Sequence, residues 1–263
     1  MSLAATIDVP AKASSPLRDC VGVDACRAGW FAARHDASTG RLRHTVFATF
    51  ADLLAWAPAP AVIAIDIPIG LSDAGHRACD SAAKALLGGR RGLSVFHTPV
   101  RQTLASLDLP AVDAYRHALA THRAVAGVGI SKQAFYLLKK IAEVDAALAT
   151  SAADASRVFE VHPEVAFAAR RAALHDQPLI GIAESKHTQA GHDMRLGLLP
   201  EAYRASAEQA IAERAGQASA YGRDDVLDAF ICLWSALRID SGVHVRLPAE
   251  EDAPDARLPR IHY

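Results

Sequence analysis

Several acidic side chains stand where a carboxylate is expensive to keep. Asp24 follows Val21, Gly22 and Val23 in a short β-type run, and Asp66 closes the apolar run 61–65, the most hydrophobic strand expected in the chain. Asp225 and Asp228 are three residues apart in the first turns of an expected helix, so they share one face. A charged carboxylate among Val, Ile and Ala is costly unless something pairs with it. Two strand-end aspartates and a helix-face pair could converge on a divalent cation, an all-oxygen donor set suited to Mg²⁺ or Mn²⁺. Two such ions can clamp the attacking and leaving oxygens of an in-line phosphoryl displacement. Plainer roles exist for single members: Asp24 can satisfy turn donors, Asp224 can cap the helix, and Asp225 gains from the helix dipole. Asp66 is the hardest to explain structurally, and the joint pattern is more informative than any one residue.

Basic residues follow the Asp66 strand. Arg77, Lys84, Arg90, Arg91 and Arg101 could hold phosphates near bound metal, or could form an ordinary solvated face. Lys186 with His187 could act on a scissile phosphate or a leaving group, and His162 could shuttle a proton or simply end a strand before Pro163. The segment from Gly88 to Gly92 fits no established phosphate loop, and Gly127–Lys132 lacks the G-x-x-x-x-G-K-[ST] pattern. There is no His-Glu-x-x-His and no Gly-x-Ser-x-Gly, so zinc proteases and α/β-hydrolases lose support.

The elements that must position these groups follow from hydrophobic period and turn chemistry. Strands are expected at 20–24, 30–34 and 42–47, the last two separated by turn residues 36–40, which makes an antiparallel meander. A short helix at 50–56 ends at Pro58 and Pro60. Residues 61–66 read as a central strand buried on both faces, which cannot continue through Pro68. Helices are expected at 74–87, 109–124 and 131–148, a strand at 157–161, and helices at 200–217 and 224–239. This order predicts an α/β fold with a mixed central sheet and helices on its faces.

Composition agrees with a globular chain: 263 residues, 51% hydrophobic and 22% charged. With 28 Lys+Arg against 29 Asp+Glu, the formal net charge of −1 excludes tight nucleic-acid binding driven by bulk charge, but not a local basic groove. Aromatics at 6% argue against a wide stacking platform. Cys20, Cys26, Cys79 and Cys232 form no Cys-x-x-Cys pair and read as buried thiols of a reducing cytoplasm. No secretory signal is visible, and no apolar run approaches the roughly 20 residues of a membrane helix. A cytoplasmic protein without membrane contact is expected.

The motifs also resemble a known family. Residues 21–30, VGVDACRAGW, resemble the V-G-V-D-G-C-R-x-G-W opening of the DUF429 family, and 65–71, IDIPIGL, match its I-D-x-P-x-G-L segment. Arg77, Asp80 and Lys84, then Ser94, Val95, Phe96 and Pro99, resemble its R-x-x-D-x-x-A-R…S-V-F…P block. Glu160–Glu164, then Ser185, Lys186, Thr188 and Gly191, then Asp224, Asp225, Asp228 and Ala229, complete the series in order. Ala25 and Lys84 depart from the family's usual glycine and arginine. The resemblance implies a nuclease of RNase H-like fold: a mixed five-stranded central sheet with flanking helices and a long helical insertion. It assigns metal to Asp24, Asp66, Asp225 and Asp228, and Glu160 would add a carboxylate from the fifth strand.

The expected organisation is a flexible arm at 1–18, an RNase H-like domain at 19–240 with its insertion at about 72–155, and a C-terminal tail at 241–263 that wraps the surface. The expected function is phosphodiester hydrolysis by metal-activated water, with nucleic acid or another phosphodiester as substrate. Catalysis would fall to Asp24, Asp66, Glu160, Asp225, Asp228 and Lys186, and phosphate contacts to Arg77, Lys84, Arg90 and Arg91. Two alternatives stay open: a nucleotide-binding phosphotransferase of the actin-like class, and a non-catalytic metal- or ligand-binding protein on the same fold.

Overall fold

A computed structural model describes residues 18–214, 220–249 and 259–263. The first three strands, β1 (Cys20–Cys26), β2 (Gly29–Asp36) and β3 (Arg41–Phe47), form the expected antiparallel meander. Asp36 builds the second turn by accepting from the Ser38 and Thr39 backbone N–H groups at 3.0 and 3.2 Å, and Gly40 supplies the positive φ of 66°. Helix α1 (Phe50–Leu54) follows, capped by the Thr49 hydroxyl, and leads into β4 (Val62–Asp66), which pairs parallel to β1. Strand β5 (Val158–Glu160) adds parallel to β4, so the sheet order is β3-β2-β1-β4-β5. That five-stranded mixed sheet, flanked by helices, is consistent with an RNase H-like fold.

Strands β1, β2 and β4 are buried on both faces, which is why they read as nearly continuous apolar runs. Between β4 and β5 run α2 (Ala78–Leu87), 3₁₀ turns at Arg91–Ser94 and Arg101–Asp108, α3 (Ala111–Ala126), α4 (Lys132–Thr150) and α5 (Ala152–Ala155). Helix α4 covers one sheet face, where Ile141 and Val144 pack with Val21, Val23, Ile63, Ile65 and Val158. The other face carries α6 (Pro163–His175) and α9 (Arg223–Asp240), packed on Cys20, Phe31, Val62 and Ala64. Helix α9 is apolar almost all round because sheet and helices enclose it.

Several boundaries differ from expectation. Helix α2 starts at Ala78 rather than residue 74, because Gly75 has φ 67° and Arg77 is extended. Pro163 stops the strand but also opens α6, where its missing N–H costs nothing at the first helical position. Helix α7 (Gln189–Leu198) was also not expected; its start is fixed by the Thr188 hydroxyl, which accepts from the Gly191 N–H at 3.1 Å. Helix α8 (Glu201–Glu213) covers most of the expected 200–217, whose last residues, 215–217, lie outside the described ones. The tail does more than wrap the surface: β6 (Arg246–Leu247) pairs with β7 (Ile261–His262), Ile261 and Tyr263 are buried, and His262 bridges to Val161. The expected arm lies outside the described residues except Arg18, whose Nε donates to Asp240 at 2.8 Å. Among the described residues no helix is long and apolar enough to cross a membrane.

One contact sets how α9 meets the sheet. A Cβ on Gly22 would lie 2.0 Å from the Leu233 nitrogen and 2.1 Å from the Ala229 carbonyl oxygen, so helix backbone rests directly on strand backbone. Gly22→Ala is expected to destabilise the fold by about 1–3 kcal/mol or more, as overpacking does. Urea unfolding followed by circular dichroism measures this, and an unchanged midpoint would show that the contact does not govern packing.

Candidate metal centre

The sheet brings the acidic residues together by parity and register. Asp24 lies two residues after Gly22 and four after Cys20, hence on the α9 face of β1. Asp66 follows Val62 and Ala64 on the same face of β4, and the parallel register sets Asp24 and Asp66 side by side. Asp228 immediately precedes Ala229, the α9 residue that rests on Gly22. As a result Asp24, Asp66 and Asp228 offer ligand oxygens that all lie within 4.8 Å of one another. Asp225 stands one turn earlier and lines the same cavity, but one of its oxygens accepts the Gly222 backbone N–H at 2.7 Å. Gly222, not Asp224, is therefore the N-cap residue, and the carboxylate that finishes the cap comes from Asp225.

Lys186 is the cation the protein supplies to this cluster, with Nζ donating to Asp228 Oδ2 at 2.7 Å. One ammonium does not balance four carboxylates. Burial and the neighbouring charges of Asp66, Asp228 and Asp225 push the Asp24 carboxyl well above the usual range. Burial, with Asp228 next, raises Asp66 to about 8, and burial lifts Asp225 to about 6. Asp228 is also raised by burial, against the pull of Lys186, while Asp228 in turn raises Lys186. The second oxygen of Asp228 is buried without a hydrogen-bond partner among the described residues. Three clustered carboxylates with an orphaned oxygen form a donor set that a hard divalent cation fits, and the cation would remove the repulsion.

Glu160 does not join this cluster. It shares the sheet side of Ile63, Ile65 and Val158, opposite Asp66, and it is buried in a separate ion network. Its oxygens accept from Arg77 at 2.6 and 2.7 Å and from the Ile69 N–H at 2.6 Å. Arg77 is not a rim residue awaiting phosphate: its Nε bonds Asp80, its Nη1 bonds Ile69 O and Glu160, and its Nη2 bonds Asp80 and Glu160. Cys79, Asp80 and Glu160 also lie close enough to suggest a metal group, but Arg77 already supplies their counter-charge. Burial pushes Asp80 up, yet Arg77 and Thr98 outweigh it and hold the carboxyl below its usual range. The network ties the turn after β4 to β5 and so braces the chain beyond Asp66.

The cluster opens into a cavity of about 470 Å³. Arg90 and Arg91 line it, and neither guanidinium has a carboxylate partner among the described residues. Lys84 instead turns to His97, with Nζ 3.0 Å from Nε2, and Arg101 pairs with Asp145 at 2.7 Å, so neither lines the cavity. His162 lines the wall with its Nδ1 buried and unpartnered, and burial lowers its pKa; His187 is exposed at the mouth. Sequence reading missed the wall contributed by α4, Gln133 and Leu137. Their four-residue spacing places them on one helix face, but nothing in their types marks a site.

The raised carboxyls fix the sign of the pH dependence. The folded state holds protons that the unfolded chain releases near pH 4, so metal-free protein should lose stability as pH rises from about 4 to about 8. Asp66→Asn should flatten that decline, and Mg²⁺ or Mn²⁺ should reverse it in the wild type alone. Thermal unfolding across this pH range, in chelator and in excess cation, measures both effects; a flat wild-type profile would contradict the charge arrangement.

No curated protein and no solved structure matches the chain at a significant level. The family model described as protein of unknown function (DUF429) matches residues 22–253, a span that holds Asp24, Asp66, Lys186 and Asp228, and the chain therefore belongs to the DUF429 family.

Proposed function

We propose that the protein is a divalent-metal-dependent phosphodiesterase acting on nucleic acid, with Mg²⁺ or Mn²⁺ held by Asp24, Asp66 and Asp228. The observation that carries this reading is one cavity with two kinds of lining: three clustered carboxylates with an orphaned oxygen, and two guanidiniums without carboxylate partners among the described residues. A divalent cation supplies Lewis-acid polarisation of the phosphoryl group and a water nucleophilic near neutral pH. Lys186 opposes protonation of Asp228 and, by holding its Oδ2, orients it beside the other two carboxylates. Asp225 adds negative charge beside them while fastening the start of α9. Arg90 and Arg91 bind the phosphates flanking the scissile one, as paired N–H donors suit phosphate oxygens. Glu160 and Arg77 act indirectly, by bracing the turn that follows Asp66.

An actin-like phosphotransferase would need a second nucleotide-binding half with its own phosphate turns. The described residues form one five-stranded sheet and a two-stranded ribbon, which does not favour that reading.

The test is hydrolysis of single- and double-stranded DNA and RNA by purified protein with Mg²⁺ or Mn²⁺. Chelation should abolish cleavage, and Asp24→Asn or Asp66→Asn should lower kcat about 100-fold or more, the loss of several kcal/mol of electrostatic stabilisation. Arg90→Ala with Arg91→Ala should raise KM more than it lowers kcat. No cleavage of any substrate with either cation, alongside calorimetric cation binding that Asp66→Asn removes, would replace this reading with that of a non-catalytic metal-binding protein.

A further inference from the structure

Helix α4 does more than wall the cavity. Gln133 and Leu137 line it, and the neighbouring positions on the same helix surface are Lys132, Tyr136 and Lys139. All three are exposed, and Tyr136 leaves 74% of its surface in water with no polar partner among the described residues. Neither Lys132 nor Lys139 has a carboxylate partner among the described residues. Glu143, further along this helix, does not neutralise them: its carboxylate accepts from the Phe50 N–H and the Trp30 indole N–H and pairs with Lys140. The cavity lining also includes an exposed apolar side chain, Leu93, 81% exposed and next in sequence to the Arg90–Gly92 segment.

An exposed aromatic ring between two lysines that have no carboxylate partner among the described residues, next to a cavity that ends in clustered carboxylates, matches a strand of alternating bases and phosphates. We propose that Lys132, Tyr136 and Lys139 form a track for single-stranded nucleic acid leaving the cavity, one base stacking on Tyr136 and adjacent phosphates meeting the lysines. This rests on the phosphodiesterase reading for what happens in the cavity, though not for binding along α4. The depth of the carboxylates supports a single strand over a duplex. Asp24 and Asp228 are 8% and 2% exposed, in a cavity that the Arg91–Ser94 turn and α4 also line, where a lone strand can enter more readily than paired strands.

The experiment measures fluorescence anisotropy of a labelled oligothymidylate of about 12 nucleotides, in chelator so that nothing is cut. The combined variant Lys132→Ala, Tyr136→Ala, Lys139→Ala should bind about tenfold more weakly than wild type. Tyr136→Phe should keep wild-type affinity, because stacking needs the ring and not the hydroxyl. Loss of both lysines should lower the slope of log affinity against log salt by about 1.4, at roughly 0.7 per phosphate contact on a single strand. A duplex of the same length should bind at least tenfold more weakly than the single strand. Hydrolysis of a dinucleotide, too short to reach Lys132, Tyr136 and Lys139 from the cavity, should be unchanged in the combined variant. Equal affinity of wild type and combined variant, or a duplex bound as tightly as the strand, overturns the proposal. If no DNA or RNA is cut with either cation, the reading of the cavity fails instead, and the affinity comparison still decides the track.

Discussion

The contact of α9 with β1 at Gly22 is the constraint on which the candidate centre depends. Leu233 and Ala229 approach the strand so closely that any side chain at Gly22 would collide with helix backbone. That proximity places Asp228 beside the ends of β1 and β4, where Asp24 and Asp66 already stand in register. Layers held apart by ordinary side chains pack about 10 Å apart, so the glycine brings Asp228 closer to the two strand ends than such packing would. The glycine is a packing requirement, and the carboxylate cluster is its consequence.

Two buried charge groups lie near one another and are balanced in opposite ways. Around Arg77 every N–H of the guanidinium finds an oxygen of Glu160, Asp80 or Ile69, so the group is internally complete and acts as a brace. Around Asp228 the balance fails: one ammonium faces several carboxylates, the carboxyls are driven toward protonation, and one oxygen has no partner. Desolvated carboxylates without sufficient counter-charge are costly to keep for structure alone, which is why this group and not the other reads as a site for a cation.

The legibility of these features differs for physical reasons. Strand-end aspartates stand out because a carboxylate interrupts an otherwise apolar run, and Asp24 and Asp66 were found that way. Asp228 followed from helix periodicity, a local property. Glu160 looked equivalent, yet the register of β4 with β5 puts it on the other side of the sheet, against Arg77. Helix α6 was missed because Pro163 both ends a strand and opens a helix, and one residue does not announce which. The cavity wall on α4 was invisible because Gln133 and Leu137 carry no distinctive chemistry.

The features legible along the chain are local: the alternating and helical periods, the turn residues, the acidic residues that end apolar runs, and the order of motifs that marks the family. These depend on neighbours within a few positions, so one chain read in order suffices. Tertiary structure decided which charges meet. Arg77 lies 83 positions from Glu160, and Lys186 lies 42 from Asp228. No local rule couples such separations, because the pairing is set by strand register and by how closely α9 settles on Gly22.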